Sequence, residues 1–166
     1  MTIRTAALTG ARNYYEDFAV GDVYEHARGK TVTEFDNVII TNLVMNTAQA
    51  HFNEHFAASM PYKRRIVFGG VTAALVIGLA MQDTGENALR EVGLDKVRLS
   101  SPVFHGDTLY AFSEVLGKSA PAVDRETLIE AGEVRFRHWG VNQDGKTVFE
   151  AERRALIKMR PAGAGA

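Results

Sequence analysis

The 166-residue chain has no cysteine, which excludes disulfides and thiolate-bound metals and leaves no thiol usage from which to read a redox compartment. An excess of either charge is also lacking. Against 20 Asp and Glu stand 19 Lys and Arg, for a formal net charge of -1, so no general affinity for nucleic acid or another polyanion is expected. Long apolar runs are missing too: the longest, GGVTAALVIGLAMQ from Gly69 to Gln82, is too short to cross a bilayer. The first residues, MTIRTAALTGARNYYEDF, offer a short mild apolar patch followed by charge instead of the apolar core of a secretory leader, and the expected location is the cytoplasm. No internal repeat or linker interrupts the chain. What is present is 46% hydrophobic and 23% charged residues, a globular composition in a length that buries one sizeable core and would cramp two.

Periodicity divides the chain into a helical part and a stranded part. In TVTEFDNVIITNLVMN, Thr33 is placed as an N-cap with Asp36 three residues on, the pattern of a capping box. Apolar Val38, Ile39, Leu43 and Met45 then describe an amphipathic helix that ends near Asn46. The run from Gly69 to Gln82, bounded by Gly-Gly and DTGEN, reads as a buried helix. After it, TLYAFSEVL, GEVRFRHWGV and KTVFEAERRALIKM alternate apolar and polar residues as half-buried antiparallel strands do. Asp144-Gly145 predicts a hairpin between the last two, while Pro102 and Gly106-Asp107 separate an earlier strand in VGLDKVRLSSPVFHGD from its successor. A further strand is expected around Asp22 to Lys30. The pattern is α+β: an antiparallel sheet wrapped around a long apolar helix, the single hot-dog fold, over 13–160. An N-terminal extension over 1–12 precedes it, and a disordered small-residue tail over 161–166 follows. Sheet edges and helix ends that still need covering make a homodimer or higher homo-oligomer the expected assembly.

Three stretches then stand in order: MNTAQAHFNEHFAA from Met45 to Ala58, RRIVFGGVTAAL, and SPVFHGDTLY. Together they resemble the successive motifs of the MaoC-like hydratases, across roughly Tyr14 to Met159. In that family the first motif carries an Asp five residues before a His, both reaching the thioester substrate. His51 stands at the His position, and Asn46 replaces the Asp. The resemblance implies addition of water to a trans-2-enoyl-CoA, or its reverse, with (R)-3-hydroxyacyl-CoA as the family's usual product. Carboxylate partners at metal-ligand spacing are not evident beside the histidines, so no metal is expected, and no cofactor is expected beyond the CoA that arrives with the substrate. The chemistry needs a base for water, an acid for the α-carbon and a donor for enolate charge. An imidazole accepts and returns protons in the neutral range, which suits His51 to both transfers, whereas the amide of Asn46 can only orient water. Gly69 and Gly70, at the start of a buried helix, would supply backbone N–H groups to the thioester oxygen.

Each residue has a plainer reading beside this one. A histidine in an apolar run is often a hydrogen-bonded core residue, Asn46 can be a helix C-cap, and the glycine pair can serve close packing. Lys63, Arg64 and Arg65 either clamp the phosphates of CoA or form a solvated loop. Asn53 reads as the cap of a small helix, His55 as exposed and His105 as a turn residue, while His26 and His138 have no supporting context. GKTVTEFDN, TNLVMNT and NALREVGLDKVRL narrow the resemblance to the mesaconyl-CoA or itaconyl-CoA hydratase subgroup, implying a short branched dicarboxylic acyl group. Lys30, Arg135 and Arg137 are cations that could meet such a carboxylate. Two rival functions share the fold: a thioesterase using Glu54, and a non-catalytic acyl-CoA-binding dimer.

Overall fold

Alternation along the second half of the chain builds one sheet, and the run from Gly69 supplies the helix that it encloses. The computed structural model describes residues 3–5 and 13–163; what was expected of the rest of 1–12 and of 164–166 lies outside the described residues. In chain order the elements are β1 (Ile3–Thr5), β2 (Val23–Thr31), α1 (Glu34–Leu43), α2 (Glu54–Ala57), α3 (Gly69–Thr84), β3 (Ala88–Leu99), β4 (Thr108–Lys118), β5 (Ala122–Val123), β6 (Glu130–Val141) and β7 (Thr147–Lys158). Single helical turns lie at 15–17 and 49–51. The sheet runs β1-β2-β4-β6-β7-β3 with β5 beside β6, antiparallel except for the β1–β2 pair. The expected hairpin joins β6 to β7: Asn142 N–H donates to Lys146 O at 3.0 Å, and Gly145 takes φ +73°, the left-handed region that glycine enters without steric cost.

The inward face of the sheet carries two apolar clusters separated by a polar layer. The first surrounds α3 and includes Val71, Val76, Leu109, Ala111, Phe149 and Ala151. Gly140 marks the closest approach of helix to sheet, since a methyl there would run into Val76. The second cluster contains Phe18, Tyr24, Val115, Val134, Phe136 and Ile157, with Phe18 edge-on to both Tyr24 and Phe136. Burial of a side chain such as Phe136 or Phe149 contributes roughly 1.5–3 kcal/mol. Between the clusters Ser113, His138 and Arg153 point inward at positions where the strand rhythm demands burial, and α3 ends there with Asp83 and Thr84. Arg153 donates to Thr84 O at 3.1 Å and pairs with Glu91 at 2.5 Å, so the buried cation sits at the negative end of the helix.

Helix α1 differs from expectation in its end and in its facing. Thr33 and Asp36 do form the capping box, with Asp36 N–H donating to Thr33 Oγ1 at 3.1 Å and Thr33 N–H donating to Asp36 Oδ2 at 2.8 Å. The helix stops at Leu43, short of Asn46. Its closing bonds run from Met45 N–H to Asn42 O (3.0 Å) and from Asn46 N–H to Thr41 O (2.9 Å), the two bonds of a Schellman motif, and Met45 takes the left-handed φ of 55°. The fully buried positions are Asn37 and Thr41, with Val38 and Ile40 half-buried and Ile40 packed on the core, while Phe35, Ile39 and Leu43 are 70%, 40% and 76% exposed. At the far side of the sheet β3 is an edge strand whose Val92, Leu94, Val97 and Leu99 are also exposed.

Candidate active site

His51 ends the helical turn at 49–51, which is clipped to the strand-like segment before α3 by two bonds. Ile66 N–H donates to Ala50 O at 3.1 Å, and His51 Nδ1 lies 3.0 Å from Ile66 O. A carbonyl oxygen can only accept, so Nδ1 carries the proton and Nε2 of the neutral ring keeps its lone pair. No partner for Nε2 is found among the described residues, and the residue is half-buried. The ring leans on Phe68, centroids 5.5 Å apart. Backbone pairing has therefore fixed a tautomer in which the other nitrogen, Nε2, keeps a basic lone pair.

Phe68 is the residue at which α3 begins. Val71 and Thr72 N–H return to Phe68 O at 2.9 and 3.2 Å, so the amides of Gly69 and Gly70 precede the first bonds of the helix and stand at its positive end. The glycines also serve packing: a side chain on Gly69 would meet Leu99, and one on Gly70 would meet the Phe68 ring. The packing reading of the pair is thus met, while their amides remain open to an acceptor at the start of α3.

The other candidates separate on inspection. Asn46 accepts a hydrogen bond from Ala48 N–H through Oδ1 at 2.9 Å, an Asx turn leading into the His51 turn, and no hydrogen bond joins it to His51 among the described residues. Arg65 is held by Glu34 and Glu54, and its side chain is only 13% exposed, so it is committed to a salt-bridge network. Lys63 and Arg64 stay exposed, Arg64 lying 3.7 Å above the ring of Phe104. Glu54, the carboxylate that a thioesterase reading would need, is one of the two partners of Arg65. Asn53 caps α2 through Phe56 N–H at 3.0 Å, and His55 is exposed. Lys30 pairs with Asp36 at 2.8 Å, and Arg137 with Glu150 at 2.7 Å, on the opposite face of β6 from His138.

Two polar groups escaped the sequence reading. Asn37 is fully buried between α1, the His51 turn and the start of α3: its Nδ2 donates to His51 O at 2.7 Å, and its Oδ1 accepts from Phe68 N–H at 2.9 Å. The signal was present in the spacing of Asn37 and Thr41, two polar residues one helical turn apart. His105, in the turn before β4, lies 3.0 Å from Asn37 Nδ2; burial first, then the charge of Arg65, hold it below the ordinary histidine range. The second group is the polar layer of the core. His26 Nδ1 contacts Asp83 Oδ2 at 2.6 Å, and Ser113 Oγ lies between His26 Nε2 (2.7 Å) and His138 Nδ1 (2.6 Å). These residues are 57 and more positions apart along the chain or on different strands, which no local pattern discloses.

Comparison with known proteins follows the same lines. The profile of a family described as mesaconyl-CoA hydratase matches residues 4–159. Beta-methylmalyl-CoA dehydratase of Chloroflexus aurantiacus is 37% identical over 114 residues, 69% of this chain and 32% of that protein. An (R)-specific enoyl-CoA hydratase of Rhodospirillum rubrum is 31% identical over 151 residues, 89% of this chain and 94% of that protein. A Mycobacterium tuberculosis protein described as having a double hot-dog fold superposes with a TM-score of 0.81 at 19% identity, covering 95% of this chain and 47% of that one, a likeness of fold alone. The chain spans about a third of the length of the first curated relatives it matches.

Proposed function

The chain belongs to the mesaconyl-CoA hydratase family of MaoC-like hot-dog proteins, and from that premise we propose that it adds water to an enoyl-CoA thioester, or removes it, with a short branched dicarboxylic acyl group such as mesaconyl as substrate. The observation that carries the reading is the clip from His51 Nδ1 to Ile66 O, which leaves Nε2 as a base beside the N-terminal end of α3.

In the hydration direction, His51 Nε2 takes a proton from water as the water oxygen bonds to the β-carbon. The π electrons of the double bond move toward the thioester, and enolate charge collects on its oxygen. The N–H groups of Gly69 and Gly70 face that charge, an interaction whose loss typically costs about 3 kcal/mol in the transition state. The imidazolium then returns the proton to the α-carbon, so one water is added and the base is regenerated. Asn46, whose Oδ1 is engaged by Ala48, has Nδ2 left to hold the attacking water. No further cofactor enters; CoA comes with the substrate. With Arg65 committed, Lys63 and Arg64 are the cations left for its phosphates. A second copy docked along the apolar edge of β3 would cover Val92, Leu94, Val97 and Leu99.

The test is mass spectrometry of the purified protein with crotonyl-CoA, mesaconyl-CoA and itaconyl-CoA in separate reactions. Gain of one water without release of free CoA is expected, fastest with mesaconyl-CoA. Release of CoA thiol would replace the reading with a thioesterase, and binding of every ester without conversion would replace it with a ligand-binding protein.

A further inference from the structure

The base and the oxyanion donors of the proposed reaction come from different segments, and one buried amide touches both. Asn37 uses its whole hydrogen-bonding capacity: Nδ2 donates to His51 O (2.7 Å) and to His105 Nε2 (3.0 Å), while Oδ1 accepts from Phe68 N–H (2.9 Å) and Thr41 Oγ1 (3.4 Å). Two of these partners have fixed polarity. The carbonyl of His51 can only accept and the amide of Phe68 can only donate, so the orientation of the Asn37 side chain is settled without reference to His105. His105 must then present a lone pair at Nε2 and carry its proton on Nδ1.

Resting on the hydratase reading above, we propose that Asn37 is the positioning residue of the site, holding the His51 backbone and the start of α3 in register, with His105 as the acceptor that completes its hydrogen bonds. A change at position 37 releases His51 O and Phe68 N–H together, and these lie directly on the base and directly before Gly69 and Gly70. Protonation of His105 would set N–H against N–H and push the amide off both. The surroundings of His105 disfavour that proton: it is partly buried, Arg65 and Arg64 oppose it, and Glu34 and Glu54, which would favour it, are bound to Arg65. These surroundings move the opening of the clamp to a pH below that at which an ordinary histidine takes up its proton.

Asn37→Ala and Asn37→Asp test the clamp in the full-length protein, with His105→Gln and His105→Leu beside them. Loss of the register lowers kcat by about 10²-fold in either Asn37 variant, the scale of a small misplacement of catalytic groups. KM for the thioester stays within about threefold, because uniform binding is not what is lost. His105→Gln retains an acceptor that cannot titrate, so it keeps more of kcat than His105→Leu and drops one ionisation from the acid limb of the kcat profile. Side-chain ¹⁵N NMR of histidine-labelled protein supplies a readout independent of turnover. In the parent at pH 7, His105 shows an unprotonated Nε2 and His51 a protonated Nδ1; in Asn37→Asp, where the two donors become lone pairs, His105 Nε2 moves to the protonated range. Parent-like kcat in a folded Asn37→Ala, or histidine signals unchanged in both Asn37 variants, would overturn the proposal. Should the parent hydrate none of the esters, the hydratase reading falls, while the NMR signals alone still decide the clamp.

Discussion

His51 and His138 both satisfy Nδ1 with a hydrogen bond, and they diverge at the other nitrogen. His51 contacts Ile66 O at 3.0 Å near the N-terminal end of α3, half-buried, with Nε2 unengaged among the described residues. His138 contacts Ser113 Oγ at 2.6 Å in the layer where α3 ends, with no exposed surface and a buried Nε2 that finds no partner among the described residues. Burial, reinforced by the charge of Arg153 and by His26, pushes His138 down to about 3, so it is neutral around pH 7. The contrast teaches that residue type and first hydrogen bond do not make a catalytic histidine. What matters is whether the remaining nitrogen can reach a proton donor without first paying for desolvation.

The largest effect that would break this comparison is in the rate. His51→Ala should lower kcat for hydration by about 10²- to 10⁴-fold while the protein still folds, as measured by steady-state kinetics and calorimetry. Equal activity in this variant and the parent would remove His51 from the mechanism. Next comes the pH dependence of stability. His138 has its folded pKa depressed to about 3, so its contribution is fully present above the unfolded histidine pKa near 6.5 and is lost as pH falls toward 3. In that window the unfolded chain binds a proton that the folded one refuses, and urea titrations should show unfolding free energy falling by about 1.4 kcal/mol per pH unit from this group. His138→Leu should flatten that slope and leave kcat unaltered. A slope that persists in the variant would assign it elsewhere.

A smaller effect is expected at Asp83, which accepts from His26 at 2.6 Å in the same layer. Asp83→Asn should cost about 1–3 kcal/mol in urea unfolding by weakening a buried charge-assisted hydrogen bond, again without change in kcat. The smallest concerns the departure from the family motif. In Asn46→Asp a carboxylate oxygen accepts from Ala48 N–H as the amide does, so the turn survives; kcat should shift by less than about tenfold, and the melting temperature should not move. A gain well beyond that would mean that a carboxylate at this position takes over part of the proton transfer from His51.

The elements most open to sequence reading were those whose cause is local. The capping box of Thr33 and Asp36, the Asn53 cap of α2, the glycine turn before β7 and the two-residue alternation of β4, β6 and β7 all depend on neighbours within a few positions. The facing of α1 failed for the same reason. Its apolar residues describe a stripe, and local pattern assigns a stripe inward, yet Ile39 and Leu43 are exposed while Asn37 and Thr41 are buried. The cost of burying Asn37 is offset, besides Thr41 in its own helix, by His51 O, Phe68 N–H and His105, partners 14 to 68 positions away. Arg65 shows the converse, a cation that sequence leaves available and that Glu34 and Glu54 have already engaged.

By itself, then, the sequence determined the α+β architecture, the helix that begins at Gly69, the family and the placement of His51 in a motif, because periodicity, caps and motif order are properties of short stretches. Tertiary structure alone decided which nitrogen of His51 keeps its lone pair, which buried amide joins the His51 backbone to Phe68, and why His138 stays neutral at pH 7. Those outcomes depend on desolvation and on hydrogen-bond partners of fixed polarity brought together across the fold, and neither is written in the spacing of residues along the chain.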